Sequence, residues 1–111
     1  MKEIKAIIQP FMLGHVLDAL ANLEGLRGLT VSEVTGWGRS RAVDVDSPVV
    51  KAGHALASKS KVEIVVTDVM VERVVDTIAK AAYTGNIGDG KIFVVDVVES
   101  VKIRTVERDM V

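Results

Sequence analysis

The sequence predicts an α+β chain of the ferredoxin-like type, β-α-β-β-α-β, with an antiparallel four-stranded sheet and both helices on one face. Two observations lead there. Four short runs rich in Val and Ile alternate in the manner of strands, and two longer runs carry apolar residues at the spacing of one helix face. Pro10, Gly25, Gly28, Pro48 and Gly85 punctuate the chain between the runs. At 111 residues the chain fits one domain, residues 1–111, long enough for a core of its own.

Residues 2–9 alternate around Ile4, Ala6 and Ile8, with Ile7 on the opposite side, and read as a first strand that Pro10 ends. Leu13, Val16, Leu17, Leu20 and Leu23 make one face of a helix, closed by Gly25 and Gly28. Leu29–Val34 is the second strand; Val31 and Val34 cannot share a face of it without a bulge. A polar segment then runs over about 39–60, punctuated by Asp44, Asp46, Ser47, Pro48 and Gly53. Loops of that length in a small domain are uncommon and mostly functional or disordered. Lys61–Val66 is the third strand, and a helix starts near Asp68, with Thr67 or Asp68 available as its cap. Val71, Val74, Val75 and Ile78 repeat the helical spacing up to Tyr83 and Thr84. Lys91–Val98 is the last strand, followed by a charged tail over 99–111.

Composition removes several function classes. A net charge of −1 argues against a general nucleic-acid binder. The absence of cysteine excludes disulfides, thiolate zinc sites and thiol nucleophiles. The start, MKEIKAIIQP, carries charges inside its apolar stretch and does not read as a signal peptide. No apolar run approaches the roughly 20 residues that span a bilayer, so neither membrane insertion nor a location outside the cytoplasm is expected. Aromatics make up only 4% of the chain, which leaves the core to Val, Ile, Leu and Ala. Ile7, Val65 and either Val95 with Val97 or Val94 with Val98 would face away from the helices. An apolar second face calls for burial, most simply against copies of the chain.

The stretch that organises the rest is TGNIGDGKIF, Thr84 to Phe93. Gly85, Gly88 and Gly90 allow backbone N–H groups to approach an anion closely, and Lys91 adds a positive charge at the rim. Spacing alone fits a plain helix-to-strand turn equally well. Asp89 has no second acid, histidine or nucleophile paired with it, so it reads as turn-forming and not catalytic. His15 reads as a solvated surface residue. His54, with Asp44 and Asp46, does not match a metal motif, and no metal site is expected. Trp37, between two glycines, fits a core plug or a site residue equally.

Laid on this order, the motifs resemble the PII signal-transduction family. The resemblance runs through KEIKAIIQPF, GLTVSEVTGWGR, KVEIVV, TGNIGDGKIFV and VKIRT, and TGNIGDGKIF is its most specific part. It implies a homotrimer with ATP and ADP competing for clefts between subunits. It also implies control of a target transporter or metabolic enzyme through the long loop, in nitrogen or related metabolism. By position, Gly88, Asp89, Gly90 and Lys91 would surround the phosphates, faced by Gly36, Trp37, Gly38 and Arg39. Lys102 and Arg104 would reach them from the neighbouring subunit, and Thr30 and Val65 would lie by the adenine. Magnesium would accompany ATP.

Departures from the family pattern lie around the long loop. Residues 40–60 contain no tyrosine, the only one being Tyr83, so uridylylation on the family pattern is not expected. Ser40 stands where the resemblance leads one to expect a glutamine that helps hold magnesium and 2-oxoglutarate, which puts a 2-oxoglutarate response in question. Lys59 matches the family's loop lysine and is a candidate for the same effector. Gln9 replaces a lysine, and Lys102 an arginine, losing the bidentate fork. The expected protein is a nucleotide-binding regulator and not an enzyme. The alternatives are a sensor of AMP or bicarbonate and, less well supported, a slow nucleotide hydrolase. An RNA-binding module on the same element order would need exposed aromatics on its central strands, where this chain has mainly Val and Ile.

Overall fold

The computed structural model describes residues 1–37 and 56–109. Its elements are β1 (Lys2–Ile8), α1 (Leu13–Ala21), β2 (Thr30–Trp37), β3 (Leu56–Val66), α2 (Val71–Ala82) and β4 (Gly90–Asp96). One-turn 3₁₀ segments, Pro10–Met12 and Asp68–Met70, lead into the two helices. The strands form one antiparallel sheet in the order β2-β3-β1-β4, as the ferredoxin-like reading requires.

The core follows from strand alternation. Ile4, Ala6 and Ile8 of β1 lie opposite Ile64, Val62 and Ser60 of β3, and all six are buried on the helix side. Val16 and Leu20 of α1 and Val74, Ile78 and Ala82 of α2 cover them. The two helices also pack on each other, closing the layer. Core side chains are almost all aliphatic, so stability here comes from area removed from water and close packing.

Three details of the sequence reading change. β2 needs no bulge: its register with β3 is unbroken from Thr30–Glu63 to Trp37–Leu56. Val31 pairs with buried Val62 on the helix side, and Val34 pairs with Lys59 on the other. β3 begins at Leu56, five residues before the expected start, so 56–60 is strand and not loop. Neither Thr67 nor Asp68 makes a side-chain cap bond at the second helix. Asp68 instead accepts a 2.5 Å bond from the Met1 ammonium, which holds its carboxyl below the ordinary value.

The face away from the helices is mixed. Ile7, Val65, Phe93 and Val95 share it with Glu3, Lys5, Lys61 and Glu63. Lys61 lies 3.4 Å from Glu63, and Lys5 lies 3.8 Å from Glu3. Of the two valines that the sequence left open, Val95 and not Val94 faces this side. The apolar face expected from sequence is an apolar surface crossed by a charged band, the band being the part that already tolerates water. Gly38, Arg39, Ser40, Asp44, Asp46 and His54, which the sequence places in the long loop or at its base, lie outside the described residues.

Ile78 is fully buried between α2 and the sheet. Ile78→Ala is expected to lower unfolding free energy by about 2–5 kcal/mol, read as a drop in the urea midpoint with an unchanged slope. An unchanged midpoint would show that this helix contributes little to the core.

Candidate functional site

The topology gathers one set of candidate residues at one end of the sheet. β1 and β2 run parallel with β3 and β4 opposed, so the ends of β1 and β2 meet the starts of β3 and β4. Gly36 and Trp37 close β2 at this end, Lys59 lies near the start of β3, and Gly88–Lys91 leads into β4.

The glycine loop is built by its own side chains. The Asp89 carboxylate accepts the Thr84 N–H at 2.7 Å, the Gly85 N–H at 3.0 Å and the Thr84 hydroxyl. The Thr84 oxygen in turn accepts the Asn86 N–H at 3.2 Å. These bonds from Thr84, with a smaller one from Gly85 and the nearby Lys59 charge, hold the Asp89 carboxyl below its ordinary value. Asp89 is thus committed to shaping the turn, as its sequence context suggested. Gly90 follows with φ +112, and a Cβ there would sit 1.8 Å from the Ile7 carbonyl oxygen. No side chain fits at that position, so β4 can pair with β1 here only through a glycine.

Lys59 reaches the loop from across the sheet. Its side chain is only 8% exposed, and its Nζ donates to the Gly88 carbonyl oxygen at 2.9 Å. One strand residue on, the buried Ser60 hydroxyl donates to both Glu33 carboxylate oxygens at 3.0 and 3.2 Å. That pair ties β3 to β2 just below Gly36 and Trp37. Neither bond was anticipated, because the S-K-S-K pattern of 58–61 lacks the apolar alternation that marks a strand. The available signal was Lys59 itself, which the family resemblance had singled out. Trp37 is 75% exposed and is not a core plug. Lys91 is exposed beside the loop.

A second set of candidates lies at the opposite end. Thr30 opens β2, and Val65 sits near the end of β3. With Glu3, Gly28, Leu29 and Glu63 they line an open cavity of about 320 Å³. From Thr30 to Gly36, six strand steps separate the two sets by roughly 20 Å. The tail also departs from the far end, where the Val97 N–H donates to the Met1 carbonyl. There the tail closes a small hairpin: Val101 bridges Arg108, and the Lys102 N–H donates to the Glu107 carbonyl at 2.8 Å. Lys102 and Arg104 stand exposed on this hairpin. Within one chain, Thr30 and Val65 therefore do not meet the glycine loop.

Among the described residues, no group of three or more His, Asp or Glu converges on a point that could hold a metal. No helix among them is long and apolar enough to cross a membrane. His15 is exposed on α1.

Fold and site together define a ferredoxin-like domain with a self-braced glycine loop beside the base of its β2–β3 connection. Comparison with known proteins makes the class specific. The sequence pattern of the family described as Nitrogen regulatory protein P-II matches residues 1–107. A Nitrogen regulatory protein P-II of Klebsiella oxytoca is 47% identical over 112 aligned residues, covering 98% of this chain and 96% of its own. Nitrogen regulatory protein P-II 1 of Escherichia coli K12 is 46% identical with the same coverage. The P-II protein of Bradyrhizobium diazoefficiens is 44% identical over 110 residues, covering 96% and 95% of the two chains. The chain belongs to the P-II family, which consists of signal-transduction regulators and not enzymes.

Because the Asp89 carboxyl is held below its ordinary value of 3.8, its turn-shaping bonds stabilise the fold fully above that value. The contribution is lost as pH falls through the lowered folded value. Asp89→Asn is expected to speed amide exchange at Thr84 and Gly85 and to flatten the acid-side dependence of that exchange. Identical profiles for variant and wild type would remove Asp89 from its structural role.

Proposed function

We propose that this chain is an adenine-nucleotide-binding regulator whose ATP and ADP sites form between copies of a homotrimer. The observation that carries the reading is the separation of the candidate residues into two complementary halves at opposite ends of one sheet. One half, with Gly88, Gly90, Lys91 and Lys59, offers backbone N–H groups and ammonium groups suited to phosphates. The other, with Thr30 and Val65, offers a hydroxyl and an apolar side chain suited to a nucleoside, in a cavity that Glu3 and Glu63 also line. A ligand that needs both must be held by two chains, with Lys102 and Arg104 of the second closing over its phosphates. Valines and Ile103 left exposed on β4 and the tail supply apolar surface for such an assembly.

Lys59 links ligand to loop. A phosphate oxygen is a stronger acceptor than the Gly88 carbonyl, and Lys59 lies four residues from the segment that joins β2 to β3. Exchange of its partner would act at the base of that segment, which we take to contact a target transporter or metabolic enzyme in the cytoplasm. The names of the relatives support nitrogen or related metabolism as the setting. Gly38 and Arg39 complete the phosphate side, and magnesium accompanies ATP. Ser40, shorter than an amide side chain, favours a nucleotide response that does not depend on 2-oxoglutarate.

Calorimetric titration of the assembled protein with ATP and ADP, with and without magnesium and 2-oxoglutarate, tests this reading. Binding of both nucleotides, in competition and indifferent to 2-oxoglutarate, is the expected result. Lys91→Ala and Arg104→Ala are each expected to weaken ATP binding about 10- to 100-fold. Absence of nucleotide binding would overturn the reading and leave the family assignment standing.

A further inference from the structure

The glycine loop has a brace that neither its glycines nor the Asp89 bonds account for. α2 ends at Ala82, and Tyr83 turns the chain outward with extended backbone angles, φ −69 and ψ 127. The Tyr83 side chain then comes forward over Gly85: a Cβ on Gly85 would lie 3.2 Å from the Tyr83 hydroxyl and 3.5 Å from Cζ. The side chain is nonetheless 72% exposed, so burial in the core does not explain its position. On its other side the ring borders a cavity of about 320 Å³ shared with Asp89, Gly90 and Lys91. Gly85 stands at φ +85, a conformation that glycine adopts freely and leaves as freely. Asp89 holds the Gly85 N–H from one side, and the Tyr83 hydroxyl and ring edge stand on the side where a Gly85 side chain would project.

We propose that Tyr83 is a positioning residue for the phosphate-binding loop, its ring splinting Gly85 so that the Gly85–Gly88 backbone waits in the form a phosphate meets. The proposal rests on the nucleotide reading for its effect on affinity, but the splint itself exists without ligand. Holding the loop in its bound form beforehand lowers the ordering cost of binding. We assign the work to the ring, because Cζ and Cε1, 3.5 and 3.8 Å from the Gly85 Cβ position, persist in phenylalanine, whereas the hydroxyl at 3.2 Å does not.

Two variants, Tyr83→Ala and Tyr83→Phe, separate the possibilities. In ligand-free protein, Tyr83→Ala is expected to speed amide exchange at Gly85 and Asn86 about 5-fold or more, while Tyr83→Phe leaves it unchanged. In ADP titrations the Ala variant is expected to bind roughly 3- to 10-fold more weakly and the Phe variant within twofold of wild type. The melting temperature should not move in either. Wild-type exchange in Tyr83→Ala would overturn the splint. A Phe variant as impaired as Ala would overturn the assignment to the ring. Wild-type protein that binds no ADP would overturn the nucleotide reading instead, while the exchange comparison would still decide the splint.

Discussion

The Ile7 carbonyl oxygen occupies the space where a side chain at position 90 would begin. This one close approach lets β4 enter the sheet beside β1 and fixes where the preceding loop must stand. With Gly90 opposite Ile8, Asp89 is turned back over Thr84 and Gly85, and Gly88 is left within reach of Lys59 from β3. A loop of flexible residues is in this way held by its neighbours: a carboxylate on one side, an aromatic ring on another, an ammonium group above. Glycine gives the backbone its access, and the surrounding side chains remove the freedom that glycine also brings.

The order β2-β3-β1-β4 has a second consequence. It collects loop-bearing ends on one side of the sheet and puts Thr30, Val65 and the tail on the other. On the proposed reading, a site that uses both ends would couple ligand to assembly, because the ligand would need both halves. The open face is suited to that arrangement. Its apolar residues favour contact, while the Glu3, Lys5, Lys61 and Glu63 band limits how indiscriminate the contact can be.

Much of the fold was legible because its core is aliphatic and regular. Ile4, Ala6 and Ile8, or Val74 and Ile78, announce their faces by spacing alone. β3 was cut short for a specific reason: Lys59 and Ser60 are buried yet polar, and hydrogen bonds to Gly88 and Glu33 satisfy them. Such partners are distant in sequence, and no local pattern announces them. The bulge expected in β2 arose from asking Val31 and Val34 to share a face, when edge position lets each stay half-exposed on its own. Asp68 looked like a helix cap but is taken by the Met1 ammonium, again a long-range partner. In the site, glycine spacing and Lys91 pointed to an anion, while the division into two halves needed the strand order.

A mixing experiment tests the shared site most directly. One chain carries Lys91→Ala, which removes a cation from the loop half, and the other carries Arg104→Ala, which removes one from the tail half. Each is assembled alone, and the two are then co-assembled and titrated with ATP. If loop and tail of different chains form one site, the mixture regains a fraction of sites with wild-type affinity that neither parent has. Recovery of no such sites, with co-assembly verified by mass, would contradict a nucleotide site built from two chains.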